Sequence, residues 1–97
     1  MQVGMQVRAL KELAEKRRDD FEKKRLTNDA IAQGWVMNGC DTILSRVPND
    51  ALIPQTLWSW VTQKVESLAD ITWQAGRDEV IDEISFALAP AQAKTVQ

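Results

Sequence analysis

Four carboxylates, Asp78, Glu79, Asp82 and Glu83, stand at i, i+1, i+4 and i+5, a spacing that gathers them on one side of a helix. Oxygen ligands so gathered suit a hard divalent cation, or the basic arm of another chain. Di-metal carboxylate bundles, however, draw a Glu-x-x-His motif from each of two helices, and this sequence contains no histidine. A solvated acidic face is therefore expected, with no metal site. Cys40 is the only cysteine, so neither an internal disulfide nor a Cys–His nucleophile is available. It falls on the apolar side of a helix, where a thiol behaves as a small buried hydrophobe. The two glycines of GWVMNG lack the lysine and the spacing of a phosphate loop. No catalytic residue and no cofactor site are expected, and the chain does not read as an enzyme.

What the sequence does supply is aromatic and charged surface. Trp35, Trp58, Trp60 and Trp73 occur within 97 residues, more indole than a small core readily buries. Trp73 falls on the polar side of its helix and the acidic quartet follows it, the make-up of a binding hot spot; the alternative is that a break in the chain turns it back under the last helix. Trp60 lies at the edge of its apolar stripe. Lys11, Arg18 and Arg25, seven residues apart along one flank of the first helix, are expected to pair with acidic groups on a partner. The predicted protein-binding residues are thus Trp73, Trp60, Asp78, Glu79, Asp82, Glu83, Lys11, Arg18 and Arg25.

The elements that must carry these residues are helices throughout. An all-α fold is predicted, a small bundle of about four helices over residues 8–26, 28–47, 57–75 and 77–88, with a Pro-containing loop at 48–55. Tails at 1–7 and 90–97 are expected to be flexible, in a single domain over 1–97. The first helix has no Gly or Pro and sets Val7, Leu10, Leu13, Ala14 and Phe21 on one side. Its seam turns charged at Arg17 and Lys24, so it packs through its first half. Leu26-Thr27-Asn28-Asp29 signals a helix start, with Thr27 as cap and a staple between Leu26 and Ile31.

The second helix is apolar over well over half its circumference. Only Gly34, Asn38, Asp41 and Ser45 form a polar strip, so it belongs at the centre of the core. Ala30, Gly34 and Asn38 would let another helix approach closely, a neighbouring helix of the same chain being favoured over a dimer groove. Thr56 is expected to cap the third helix, Gly76 to break it from the fourth, and Pro90 to end the fourth. Trp35, Cys40, Ile43, Val61, Val65 and Leu68 are the predicted core.

Hydrophobic residues at 44% and charged residues at 27% are ordinary for a globular domain, and no apolar run is long enough for a membrane span. A cytoplasmic location is expected, the host cytoplasm if the chain is phage-encoded. The net charge of −2 hides an asymmetry: residues 1–26 carry eight Lys/Arg against five Asp/Glu, and residues 27–97 carry four against nine. A basic arm on an acidic body suits docking onto an acidic surface. Nucleic acid is a less favoured partner, because Glu12, Glu15, Asp19, Asp20 and Glu22 interleave with the lysines and arginines.

The charged helix leading into Trp35, the stretch Ile43 to Pro48 (ILSRVP) and the helix Asp78 to Leu88 (DEVIDEISFAL) together resemble the central oligomerisation region of bacteriophage small terminase subunits. The resemblance implies a self-assembling structural or nucleic-acid-associated subunit. The residues themselves favour a non-catalytic protein-interaction module, such as a phage or mobile-element accessory protein that binds and inhibits or redirects a larger host complex. The partner is then another protein or a second copy.

Overall fold

A computed structural model describes residues 2–96, with side chains through residue 89. Its elements are α1 (Val3–Lys23), α2 (Thr27–Arg46), α3 (Gln55–Ser67), a 3-10 turn (Leu68–Asp70) and α4 (Gln74–Val96). The all-α bundle expected from periodicity is the observed fold. The nearest approach to a sheet among the described residues is one antiparallel bridge between Gln2 and Leu52. No helix among them is long and apolar enough to cross a membrane.

α1 and α2 form an antiparallel hairpin, tied by Lys11 to Asp41 in the middle and by Val3 to Ala51 at the open end. α4 runs alongside α2 in the same direction, because Arg77 lies over Trp35 at its start and Asp82 reaches Arg46 further on. The molecule is elongated, 50 × 25 × 22 Å. α2 touches every other element. Val36, Cys40, Ile43 and Val47 of α2 meet Val3, Val7 and Ala14 of α1, Trp58, Val61 and Val65 of α3, Leu68, and Ile81, Ile84 and Leu88 of α4 in one core. Of the predicted core, Cys40, Ile43, Val61, Val65 and Leu68 are fully buried. Trp35 is only half-buried, because the Arg77 guanidinium rather than apolar packing covers its ring.

Several boundaries differ from expectation, each for a local reason. α1 begins at Val3, ahead of Arg8, and Val3 and Val7 are buried, so residues 3–7 are a seated first turn and not a flexible tail. Two of the otherwise orphaned N–H groups of that turn are satisfied from the loop after α2: Val3 N donates to Ala51 O at 2.9 Å and Gly4 N to Asn49 O at 2.8 Å. α2 takes Leu26 as its N-cap and α3 takes Pro54, neither with a side-chain hydrogen bond. Thr27 and Thr56 therefore lie inside the helices they were expected to cap. The one-residue shift at α2 also undoes the staple, leaving Leu26 and Ile31 44% and 50% exposed.

The break between the last two helices falls at Ile71–Trp73, not at Gly76. Gly76 sits inside the first turn of α4, where any Cβ would run into the Trp73 indole and Ile71. α4 then continues past Pro90 to Val96. A proline inside a helix forfeits one hydrogen bond and crowds the preceding turn, but the alanines around it are the best helix formers. The expected tail otherwise reduces to Gln97, which with Met1 lies outside the described residues.

The close helix crossing occurs at Gly39, not at Gly34. A Cβ on Gly39 would stand 2.5 Å from Leu68 Cδ1 and 3.7 Å from Ile81 Cδ1, whereas one on Gly34 would meet nothing within 4 Å. Gly4 is also obligatory by contact, with Asn49 Cβ at 2.7 Å and Asn49 O at 2.8 Å from such an atom. Two alanine substitutions in helices should therefore move stability in opposite directions. Gly34→Ala is predicted to stabilise by about 0.5–1 kcal/mol, the helix-propensity difference alone. Gly4→Ala is predicted to destabilise by about 1–3 kcal/mol through overpacking against Asn49. Denaturant midpoints of the two variants against wild type check this, and an equal response would contradict the packing described.

Candidate functional site

The turn joining α1 to α2 sets the shape of the surface beside it. Arg25 N donates to Glu22 O at 3.0 Å and Leu26 N to Phe21 O at 2.9 Å, the paired bonds of a Schellman ending. That ending needs a left-handed residue, usually glycine, and here Arg25 fills it with φ at 63°. A non-glycine residue in this region is disfavoured by about 1–2 kcal/mol.

Between the outer faces of α1 and α2 near this turn runs an open groove of about 530 Å³. Arg18 and Glu22 line it from α1, Arg25 from the turn, and Thr27, Ala30, Ile31 and Gly34 from α2. Its floor is apolar and low where Gly34 has no side chain, with half-exposed Ile31 beside it. Arg18 is held only by long contacts. Its Nη1 is 3.5 Å from Met37 Sδ, its Nη2 3.5 Å from Asp19 Oδ1, and its Nε 3.9 Å from Glu22 Oε1, too far for a hydrogen bond. That Nε is buried without a partner. Arg25 has no ion-pair partner among the described residues.

The predicted residues sort into distinct neighbourhoods. Arg18 and Arg25 come together at the groove. Lys11 lies further along the same flank, but its ammonium is engaged by Asp41 of its own chain at 2.6 Å, and this hydrogen bond holds it above the ordinary lysine value. The acidic quartet divides. Asp82 accepts from Arg46 at 2.6 Å, Glu83 pairs with Lys64 at 3.4 Å, and Asp78 accepts from Gln74 at 2.8 Å, which leaves Glu79 exposed and without an ion pair among the described residues. The same Lys64 lies 5.6 Å from the Trp60 ring centroid, so Trp60 and Glu83 belong to one cluster across α3 and α4. Trp73 is 62% exposed, its indole resting along Gly76 rather than under α4. Among the described residues no three metal-ligating side chains converge.

Compared with known families, characterised proteins and solved structures, the chain finds no match. Its function must be argued from these surfaces.

One feature escaped the sequence reading and another was ranked second. Arg77 is 92% buried by its 8% exposure, with its guanidinium carbon 4.1 Å from the Trp35 centroid. It donates to Ile71 O at 2.8 Å and to Gln74 Oε1 at 3.0 Å, and so fastens the linker ahead of α4 through a cation–π contact and two hydrogen bonds. An arginine six residues after Ile71 carries no signal for this. The groove at Gly34 was the less favoured of two readings of that strip, an intramolecular crossing being preferred, and what spacing did not show is that Arg18, Arg25 and Ile31 line it.

Cys40, fully buried, has its thiol pushed up to about 12, first by burial and then by the neighbouring Asp41 carboxylate. The unfolded chain ionises this thiol near its ordinary value of 9.0. Stability from the un-ionised buried thiol is therefore full below that pH and falls as pH climbs toward about 12. Unfolding of wild type and Cys40→Ala across this range should give a steeper alkaline loss for wild type. Parallel curves, or rapid alkylation of the native thiol, would place Cys40 at the surface.

Proposed function

We propose that this chain is a non-catalytic protein-interaction module that receives an acidic, partly apolar helix of another protein chain in the groove between α1 and α2. The observation that carries this reading is the groove's composition: an apolar floor without a side chain at Gly34, flanked by Arg18, whose contacts within the chain are all long and whose Nε lacks a hydrogen bond, and by Arg25, which has no ion pair among the described residues. Close approach of a helix backbone is what an uncovered glycine permits, and carboxylates on that helix would give Arg18 and Arg25 the short charge-assisted bonds they lack.

Arg25 adds an independent argument. A left-handed position that glycine would fill without strain is held by a long cation, and strain of this kind tends to persist where the side chain has work to do. The groove offers no imidazole and no thiol, and the one cysteine of the chain is sealed in the core. These features support binding over catalysis.

Two substitutions separate binding from folding. Gly34→Leu fills the groove from open space and improves helix propensity by about 1 kcal/mol, and Arg25→Gly relieves the left-handed strain while removing a cation. Both variants are predicted to melt no earlier than wild type and to retain less of any protein that wild type captures from its native extract. Undiminished capture by Gly34→Leu would contradict the groove as the binding site.

A further inference from the structure

The groove calls for an acidic helix with an apolar anchor, and the chain displays one. On α4, Glu79, Asp82, Glu83 and Phe86 fall at i, i+3, i+4 and i+7, on the side opposite Ile81, Ile84 and Leu88, which are buried. Phe86 is 81% exposed, more than any other large hydrophobic side chain among the described residues. Glu79 has no ion pair among the described residues. Asp82 and Glu83 remain more than half exposed while bonded to Arg46 and Lys64, and an ionised carboxylate accepts more than one hydrogen bond.

The two surfaces cannot meet within one molecule. α4 runs parallel to α2, with Arg77 beside Trp35 and Asp82 beside Arg46, so Phe86 lies toward the end where α2 finishes, whereas the groove lies where α2 begins. α2, 20 residues long, spans about 30 Å between those ends.

We propose that the occupant of the groove is the outward face of α4 from a second copy, with Phe86 seated against Ile31 and Gly34 and Glu79 reaching Arg18 and Arg25. This deepens the interaction-module reading and rests on it. Charge complementarity argues for it: the basic surplus of residues 1–26 faces the acidic surplus of the rest, so the attraction steers groove to α4 and is weakened by salt. Contact between unlike surfaces closes as a two-fold dimer when each groove receives the other copy's α4, and otherwise runs head to tail into a ring or an open filament.

Sedimentation of the full-length protein over a range of concentrations, at low and at high salt, tests this. Wild type is expected to grow in mass with concentration, less so at high salt. Phe86→Ser removes the anchor from one surface and Gly34→Leu fills the other; each alone should weaken association by roughly tenfold or more. Neither position is packed in the fold, and melting of each variant no earlier than wild type verifies that it is intact. An equimolar mixture of the two should form a species of two chains and nothing larger, because one intact groove and one intact α4 face remain. Association that survives either substitution, or a mixture that stays monomeric, overturns the proposal. A wild type that stays monomeric while Gly34→Leu still abolishes capture of a foreign protein overturns it too, and leaves the interaction-module reading standing.

Discussion

Leu68 and Ile81 reach the backbone of α2 because Gly39 carries no side chain there, and that close approach sets where α3, the 3-10 turn and α4 can lie. Glycine in a helix interior costs about 1 kcal/mol relative to alanine, so the packing it admits has to offset that loss. Around it, α2 presents apolar residues on nearly all sides, and the rest of the fold is arranged to cover them: α1 on one flank, α4 on another, and α3 with Leu68 closing the core. The only long polar strip on α2, Asn38, Asp41 and Ser45, is the side left exposed.

That arrangement also explains why a surface remains open. α3 and its 3-10 turn meet α2 near Gly39, and α4 begins beside Trp35, so neither reaches the beginning of α2. The hairpin of α1 and α2 therefore runs on with Leu26, Ile31 and Gly34 uncovered and with Arg18 and Arg25 beside them. At the other end Phe86 stands on the outer face of α4, opposite Ile84 and Leu88, and is uncovered. Internal ion pairs absorb much of the remaining charge: Lys11 with Asp41, Arg46 with Asp82, Lys64 with Glu83. They lie on the surface, where such pairs contribute roughly 0–1 kcal/mol each, so they orient neighbouring helices more than they stabilise them.

Helix periodicity made the fold legible: the spacing of Val61, Val65 and Leu68 and the apolar girth of α2 are local properties, and burial follows them. Helix ends were less legible because the partners that fix them are distant in sequence. The carbonyls of Asn49 and Ala51 receive the first N–H groups of α1, and the Trp73 indole decides that Gly76 lies within α4. For the site, the regular spacing of Lys11, Arg18 and Arg25 correctly put them along one flank, but spacing is silent on which cation already has a partner. Asp41 takes Lys11, whereas Arg25 has no ion pair among the described residues. Nor does Lys-Lys-Arg-Leu-Thr carry the glycine that would announce a left-handed turn, so the strain at Arg25 emerges only from the backbone.

Residue-by-residue amide shifts of an isotope-labelled sample, followed from dilute to concentrated protein at low salt, test the central claim most directly. The account predicts that amides of Arg18 to Gly34 and of Glu79 to Ala89 move together along one binding curve, and that high salt reverses both. Shifts confined to other surfaces, or movement of one segment without the other, would contradict it.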